Sequence, residues 1–251
     1  MRDPVVDKIV GHIERVGEHG VPETARSSAK AFIADTLAVA VAGVSTPWRA
    51  EVLDMLAAIG GVGEATVLGG GERLPLVHAA MLNAYQIHGQ EFDCVHEAAV
   101  VHPTATILPV LLGWAEREGG VSGARLLRAV IVAIDVAVTL GLCSRAPMRF
   151  FRPANAGGFG ATAGLAVLAN LGGSKFAMPL GSITDNARAQ CRRIPKARRS
   201  SPCRWDLPRV VRSPPSSSPG VACQGRDPRS PEILVTLRCS TARPTRRPSM
   251  S

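Results

Sequence analysis

The densest group of reactive side chains in this chain is His88, Glu91, Asp93, Cys94, His96, Glu97 and His102, with Phe92 among them. Three imidazoles and three carboxylates fall within 15 positions. Histidine titrates nearest to neutral pH, so beside carboxylates it can both take and give protons. The same atoms can ligate a divalent metal. No spacing here matches a known metal-site pattern, and no two of these histidines stand at i, i+4 on one helix as HExxH requires. A polar loop carrying solvated histidines is the plain alternative. The residues alone leave all three readings open.

Two glycine patterns carry less. Gly158-Phe-Gly160-Ala-Thr-Ala163 has the outline of a dinucleotide fingerprint. It follows an Arg/Pro segment rather than a strand, and the next acidic residue is Asp185. Gly69-Gly70-Gly71 lacks the Lys-Ser/Thr of a phosphate loop and reads as a turn.

Apolar periodicity says what must position the reactive cluster. Val5, Ile9, Ile13 and Val16 recur at helical spacing. Pro22 opens a second helix, with Ala25, Ala29, Phe32, Ile33 and Leu37 on its inner face and Gly43 as its stop. Thr46-Pro47 starts a third through Val52, Met55 and Leu56, ended by Gly60-Gly61. Ala65 to Leu68 reads as one isolated strand. Pro75 opens a helix carrying Val77, Met81, Tyr85 and His88. His102-Pro103 begins another that runs to about Glu118, so the reactive cluster spans the joint between two helices. Ser122 caps a helix from Ala124 to about Leu142 that is apolar nearly all round and should be central. The last helix, near Asn155 to Leu171, is so rich in Gly and Ala that its backbone should pack closely on a neighbour. The expectation is an all-α bundle of six or seven helices.

Charge divides the 251 residues unevenly. Residues 1–177 hold 14 Lys+Arg against 16 Asp+Glu, a net of −2; residues 178–251 hold 15 against 4, a net of +11. All six His, all six Phe and the single Tyr lie in the first part, while the second takes 11 of the 19 Pro and four of the six Cys. The reading is one domain over 1–177, followed by an Arg/Pro/Ser-rich tail of disorder-type composition. Uninterrupted apolar runs stay short of the roughly 18 residues of a membrane helix, and Asp135 breaks the longest, so no membrane is expected. The N-terminus has no apolar signal-peptide core, and two cysteines in the body make no disulfide framework. The expected compartment is the cytoplasm.

Several separated motifs, in series, resemble the MmgE/PrpD family of 2-methylcitrate dehydratase-like lyases. They are Gly63-Glu-Ala-Thr-Val-Leu-Gly69, Asn83-Ala-Tyr-Gln-Ile-His88-Gly-Gln-Glu-Phe-Asp93-Cys-Val-His96, and Val101-His102-Pro103-Thr104 with Leu108-Pro109. Phe150 to Gly173, with Gly157-Gly158-Phe-Gly160-Ala161, continues the likeness. The resemblance implies a large helical domain, a smaller α/β lid, a homodimer and no required cofactor. It implies proton transfer next to a carboxylate of a small polycarboxylate substrate, which needs an acid/base pair and cationic groups. Carried over, Glu91 and Asp93 occupy the acidic motif, His96 its histidine, and His102 the histidine of the His-Pro motif, as catalytic candidates. His88 and Arg152 are the substrate-binding candidates. Two positions depart from the family: Cys94-Val95 stands where many members have Asp-Thr, and Arg152 where many have a histidine before proline. Arginine can hold a carboxylate but cannot shuttle a proton near neutrality.

Besides a plain disordered tail, which is the ordinary reading, the tail admits two others. One is a basic arm for an acidic partner or nucleic acid. Only Trp205 could stack on a base and the arginines define no face, so nucleic acid is not expected. The other is translation out of frame. Starting each codon at the third base of the old one lets Ala189–Arg199 be read as Thr-Met-Gln-Ala-His-Thr-Glu-Gly-Ser-Pro. Ser201–Arg209 becomes Ala-Met-Gln-Val-Gly-Phe-Ala-Ala, and both resemble the family's next segment. Trp205 with Asp206 forces the recovered glycine, because tryptophan has one codon. The chain as written would then be truncated near Ala177 and inactive, with helix faces exposed that absent partners should cover.

Overall fold

The computed structural model describes residues 4–143 and 152–171 and the single residue 175. The tail of 178–251 lies outside the described residues. The expected all-α bundle is found: α1 (Pro4–His19), α2 (Glu23–Ala42), α3 (Arg49–Ile59), α4 (Leu76–His88), α5 (Pro103–Glu118), α6 (Gly123–Cys143) and α7 (Arg152–Leu168). Helix punctuation follows the sequence closely. Pro22 is the N-cap of α2 and Gly43 its C-cap, leading into a 3-10 turn over Gly43–Ser45. The Ser122 hydroxyl accepts the backbone N–H of Arg125 at the start of α6, at 3.3 Å. At α3 the reading is early by a few residues. Thr46-Pro47 is spent on a turn, and Trp48, at φ 58°, caps the helix in the left-handed region.

The expected isolated strand is half of a hairpin. β1 (Ala65–Thr66) pairs antiparallel with β2 (Arg73–Leu74), in the register Ala65↔Leu74 and Thr66↔Arg73. Two-residue strands fall below what alternation can reveal. The Gly69–Gly71 stretch turns the chain between them. The hairpin is tied to α5 by Glu116, which accepts the Thr66 hydroxyl at 2.6 Å and its N–H at 2.8 Å and pairs with Arg73. Burial pushes the Glu116 carboxyl up, but Thr66 and Arg73 outweigh it and hold the group below the usual glutamate range. Glu72, in the turn, is held low by its own backbone N–H and by Arg49, against the effect of burial. Two buried amides complete this joint. Asn83 accepts the Leu68 N–H at 2.8 Å and donates to Thr66 O at 3.0 Å. Gln86 donates to Ala40 O and Leu68 O at 3.1 and 2.8 Å.

The main core joins α1, α5, α6 and α7 through Ile9, Ile13, Ile107, Leu111, Val130, Ile134, Val138, Phe159 and Leu168, all buried. As the pattern predicts, α6 is central: Ala129 to Gly141 is buried on almost every side. Counting only uninterrupted apolar runs overlooks two stretches, Glu23–Ser45 and Gly123–Cys143, that are by length and composition apolar enough to cross a membrane. The second of these is α6, whose sides are taken up largely by α7 and α5. Its Asp135 lies 2.7 Å from His12 of α1. Three of the four glycines of α7, Gly157, Gly160 and Gly164, belong to packing. A Cβ at Gly160 would strike the Ala133 carbonyl oxygen, and one at Gly164 would meet Leu111 and the Ala129 carbonyl. The Gly158–Ala163 pattern is thus mid-helix, with no strand-to-helix turn.

Two smaller clusters hold α4. Leu56, Val67, Leu74 and Leu82 join it to α3 and the hairpin; Ala40, Ile87 and Ala105 join it to α2 and α5. Of the residues read on this helix, Val77 and Met81 lie outward, 72% and 53% exposed, while Tyr85 and His88 are half-buried. Trp48, Met55, Ile59 and Val62 are exposed in the α3 region as well.

Candidate active site

His88 is the last residue of α4 and His102 the N-cap of α5. Each is therefore anchored at one side by a packed helix: Ile87, beside His88, is fully buried, and Pro103 and Thr104, after His102, are buried too. The chain between them leaves α4 at Gly89 and folds back on itself. His96 N–H bonds Val101 O at 2.9 Å and Val100 N–H bonds Glu97 O at 3.1 Å, closing a small turn. This excursion carries Asp93 inward while Phe92, next to it, is 75% exposed.

Asp93 is the centre of the site. Its side chain is 0% exposed. Its Oδ1 lies 3.1 Å from His88 Nδ1, and its Oδ2 lies 3.1 Å from His102 Nδ1. The two rings stand edge to face, their centroids 5.0 Å apart. Burying a carboxylate is costly unless donors replace its water, and here two imidazole N–H groups do so. The arrangement also sets the tautomers. With Nδ1–H given to Asp93, Nε2 carries the lone pair in the neutral ring and is the atom able to accept a proton. His102 and His88 are partly open, at 25% and 34% side-chain exposure. A fixed, partly exposed base backed by a buried carboxylate is the arrangement that proton-transfer sites use.

The remaining candidates separate. Glu91 sits at the rim, with Oε1 3.6 Å from His88 Nε2 and its side chain 74% exposed. Its φ of 56° is a left-handed conformation that a non-glycine residue adopts at a cost. His96 turns its Nδ1 to the N–H of Ala99 at 3.1 Å, so the fold uses that atom to hold the loop. Arg152 opens α7, and its side chain lies outside the described residues. The structure adds one contact that spacing did not reveal: Cys94 Sγ is buried 3.0 Å from Thr104 Oγ1. It stitches the loop to the first turn of α5 beside His102. The only hint of it in the sequence is the departure from the family at Cys94.

The chain is similar in sequence to known proteins. Over 141 residues the chain is 27% identical to the cis-aconitate decarboxylase of Aspergillus terreus, a stretch that is 55% of this chain and 29% of the relative. A cis-aconitate decarboxylase of Aspergillus terreus (strain NIH 2624 / FGSC A1156) is 29% identical over 125 residues, 48% of this chain and 26% of the relative. The matched stretches thus span less than a third of the length of either relative. The MmgE/PrpD N-terminal domain matches residues 7–197, which takes in α1 from Asp7 onward and all of α2 to α7, and runs past the compositional boundary at 177. With the helical bundle, the serial motifs and this match in agreement, the chain belongs to the MmgE/PrpD family through its N-terminal domain.

Proposed function

We propose that residues 1–177 carry the acid/base half of a lyase or isomerase site that acts on a small polycarboxylate by proton transfer. The observation that supports this most is the fully buried Asp93 carboxylate shared by His88 and His102. In this reading Nε2 of His102 takes a proton from, or returns one to, the carbon next to a substrate carboxylate. Asp93 keeps His102 in the tautomer that does so and stabilises the imidazolium that forms. His88, with Glu91 behind it, lies at the rim as a second polar contact. Arg152 supplies positive charge for a substrate carboxylate. Decarboxylation, dehydration and epimerisation all need this step, and a relative named cis-aconitate decarboxylase makes cis-aconitate the first substrate to try. The protein is further read as a cytoplasmic homodimer that needs no cofactor.

We propose also that the chain as written is inactive, because its tail is out of frame and the remaining members of the site are missing. Partial catalytic sets lose most of their activity. Sequencing the gene across the codons for Phe176 to Arg193 checks the frame directly. Activity is checked with two proteins, the chain as written and one whose frame is restored after Ala177. The first should stay at buffer background with cis-aconitate and related tricarboxylates, and turnover by it would overturn the claim of inactivity. The restored chain should turn over one of them and lose about 10²–10⁴-fold in His102→Asn. No turnover of any of them by the restored chain would overturn the lyase reading.

A further inference from the structure

The group around Asp93 offers an arrangement that proton transfer does not use. His88, Asp93 and His102 each present a ligand atom, and the three atoms lie within 4.8 Å of one another. Two imidazole nitrogens and one carboxylate oxygen form the donor set of many mononuclear zinc and non-haem iron sites. We propose that His88, Asp93 and His102 bind one divalent transition-metal ion of the zinc or cobalt class.

Three observations carry this. First, each Nδ1 already lies 3.1 Å from a carboxylate oxygen of Asp93. Donors bound at about 2.0–2.2 Å to one ion stand roughly 3–3.5 Å apart, so little closure is needed at these two edges. The ion would take the place of the two Nδ1 hydrogens, and each neutral ring would then carry its one hydrogen on Nε2. Second, the carboxylate is buried and the mouth is open. Asp93 is fully buried, while the two histidines are a quarter to a third exposed and can turn toward an entering ion. Glu91 Oε1, 3.6 Å from His88 Nε2, adds a second carboxylate at the rim. Third, the two histidine ligands rest on the C-terminus of α4 and the N-terminus of α5, which the Ala40–Ile87–Ala105 cluster ties together. Two imidazoles favour zinc, cobalt or iron over calcium or magnesium, which prefer all-oxygen shells.

The metal site goes beyond the proposed reaction and touches it at one point. An ion on Nδ1 leaves the ring hydrogen on Nε2, so His102 would lose the lone pair with which it is proposed to take a proton. The ion is then an inhibitor of that chemistry rather than its cofactor.

The test uses the full chain with Co²⁺ as the probe, read by equilibrium dialysis with metal analysis and by visible absorption. One Co²⁺ per chain is expected, with d–d bands of nitrogen and oxygen ligation that Zn²⁺ abolishes. His88→Ala and Asp93→Asn should each weaken binding by about 10–100-fold, while His78→Ala, at the far end of α4, should not. Far-UV circular dichroism of each variant separates a lost ligand from a lost fold. Absence of saturable binding, thiolate charge-transfer bands in place of the expected ones, or full affinity in folded His88→Ala and Asp93→Asn would each overturn the site. None of these readouts needs turnover. Failure of the metal site leaves the acid/base reading standing, and failure of the turnover assay leaves the metal site standing.

Discussion

α6 and α7 meet through Ala133, Ala137, Gly160 and Gly164, so closely that no side chain separates the backbones at the glycines. α4 and α5 meet at their facing ends around a buried carboxylate and two histidines. Both joints bury their central groups, but only the first gains stability with nothing polar to desolvate. Small apolar residues in contact gain dispersion and the burial of apolar surface with nothing to desolvate. A buried carboxylate begins with a desolvation cost that its two hydrogen bonds must first offset. Asp93 held in such a place, on a loop with Glu91 in a left-handed conformation, supports the proposed role in proton transfer.

Breaking the comparison from the core side should give the largest effect. Leu111→Ala removes a fully buried side chain beneath α7 and should cost about 2–5 kcal/mol, read from the midpoint of urea unfolding. A cost below about 1 kcal/mol would mean that the α5–α7 contact is loose. Next is Gly160→Ala, which drives a methyl into the Ala133 carbonyl and should cost about 1–3 kcal/mol. An unchanged midpoint would show that the helices can part without penalty. On the site side, Asp93→Asn keeps the shape but turns an amide NH₂ toward Nδ1 hydrogens. It should cost about 1–3 kcal/mol and shift the ring signals of both His88 and His102 in NMR spectra. Movement of one histidine alone would break the claim that they share the carboxylate.

The smallest effect belongs to the hairpin, at the edge of both regions. Glu116 and Glu72 are held below the usual glutamate range in the folded chain. Their pairing therefore adds stability above the ordinary glutamate range. That stability is lost as pH falls through this range and the lower folded values. Both side chains are more than a third exposed or close to it, so the sum should be under about 1 kcal/mol per pair. Glu116→Gln should narrow the difference in urea midpoint between neutral pH and about pH 3. An equal difference in the variant would show that the Thr66–Glu116–Arg73 link does not persist in solution.

Helices were legible because helix formation writes itself locally. Ser122, Pro22, Gly43 and the Gly/Ala run of α7 each perform the role that their chemistry announces. What failed was short or non-local. β1 and β2 are two residues each, too short to show alternation, and their pairing depends on chain between them. Val77, Met81, Tyr85 and His88 do share one helix as read, but helical period does not say which face turns inward; Leu82, Gln86 and Ile87 take that place because α2, α5 and the hairpin lie on their side. His96 and His102 looked alike as letters. The turn closed by His96 N–H and Val101 O directs one to its own loop and the other to Asp93.

By itself the sequence determined the all-α class, most helix ends and the stretch in which the chemistry sits. Capping, periodicity and composition act over a few residues, so they survive without the rest of the chain. The tertiary structure alone decided that Asp93 is the shared partner of His88 and His102, nearest neighbours in space from positions 88 and 102 of the chain. It decided too that the Gly158–Ala163 pattern lies inside a helix, where Gly160 serves close contact. Both depend on how helix faces meet, and distances between faces are set by packing of the whole bundle, which no local pattern records.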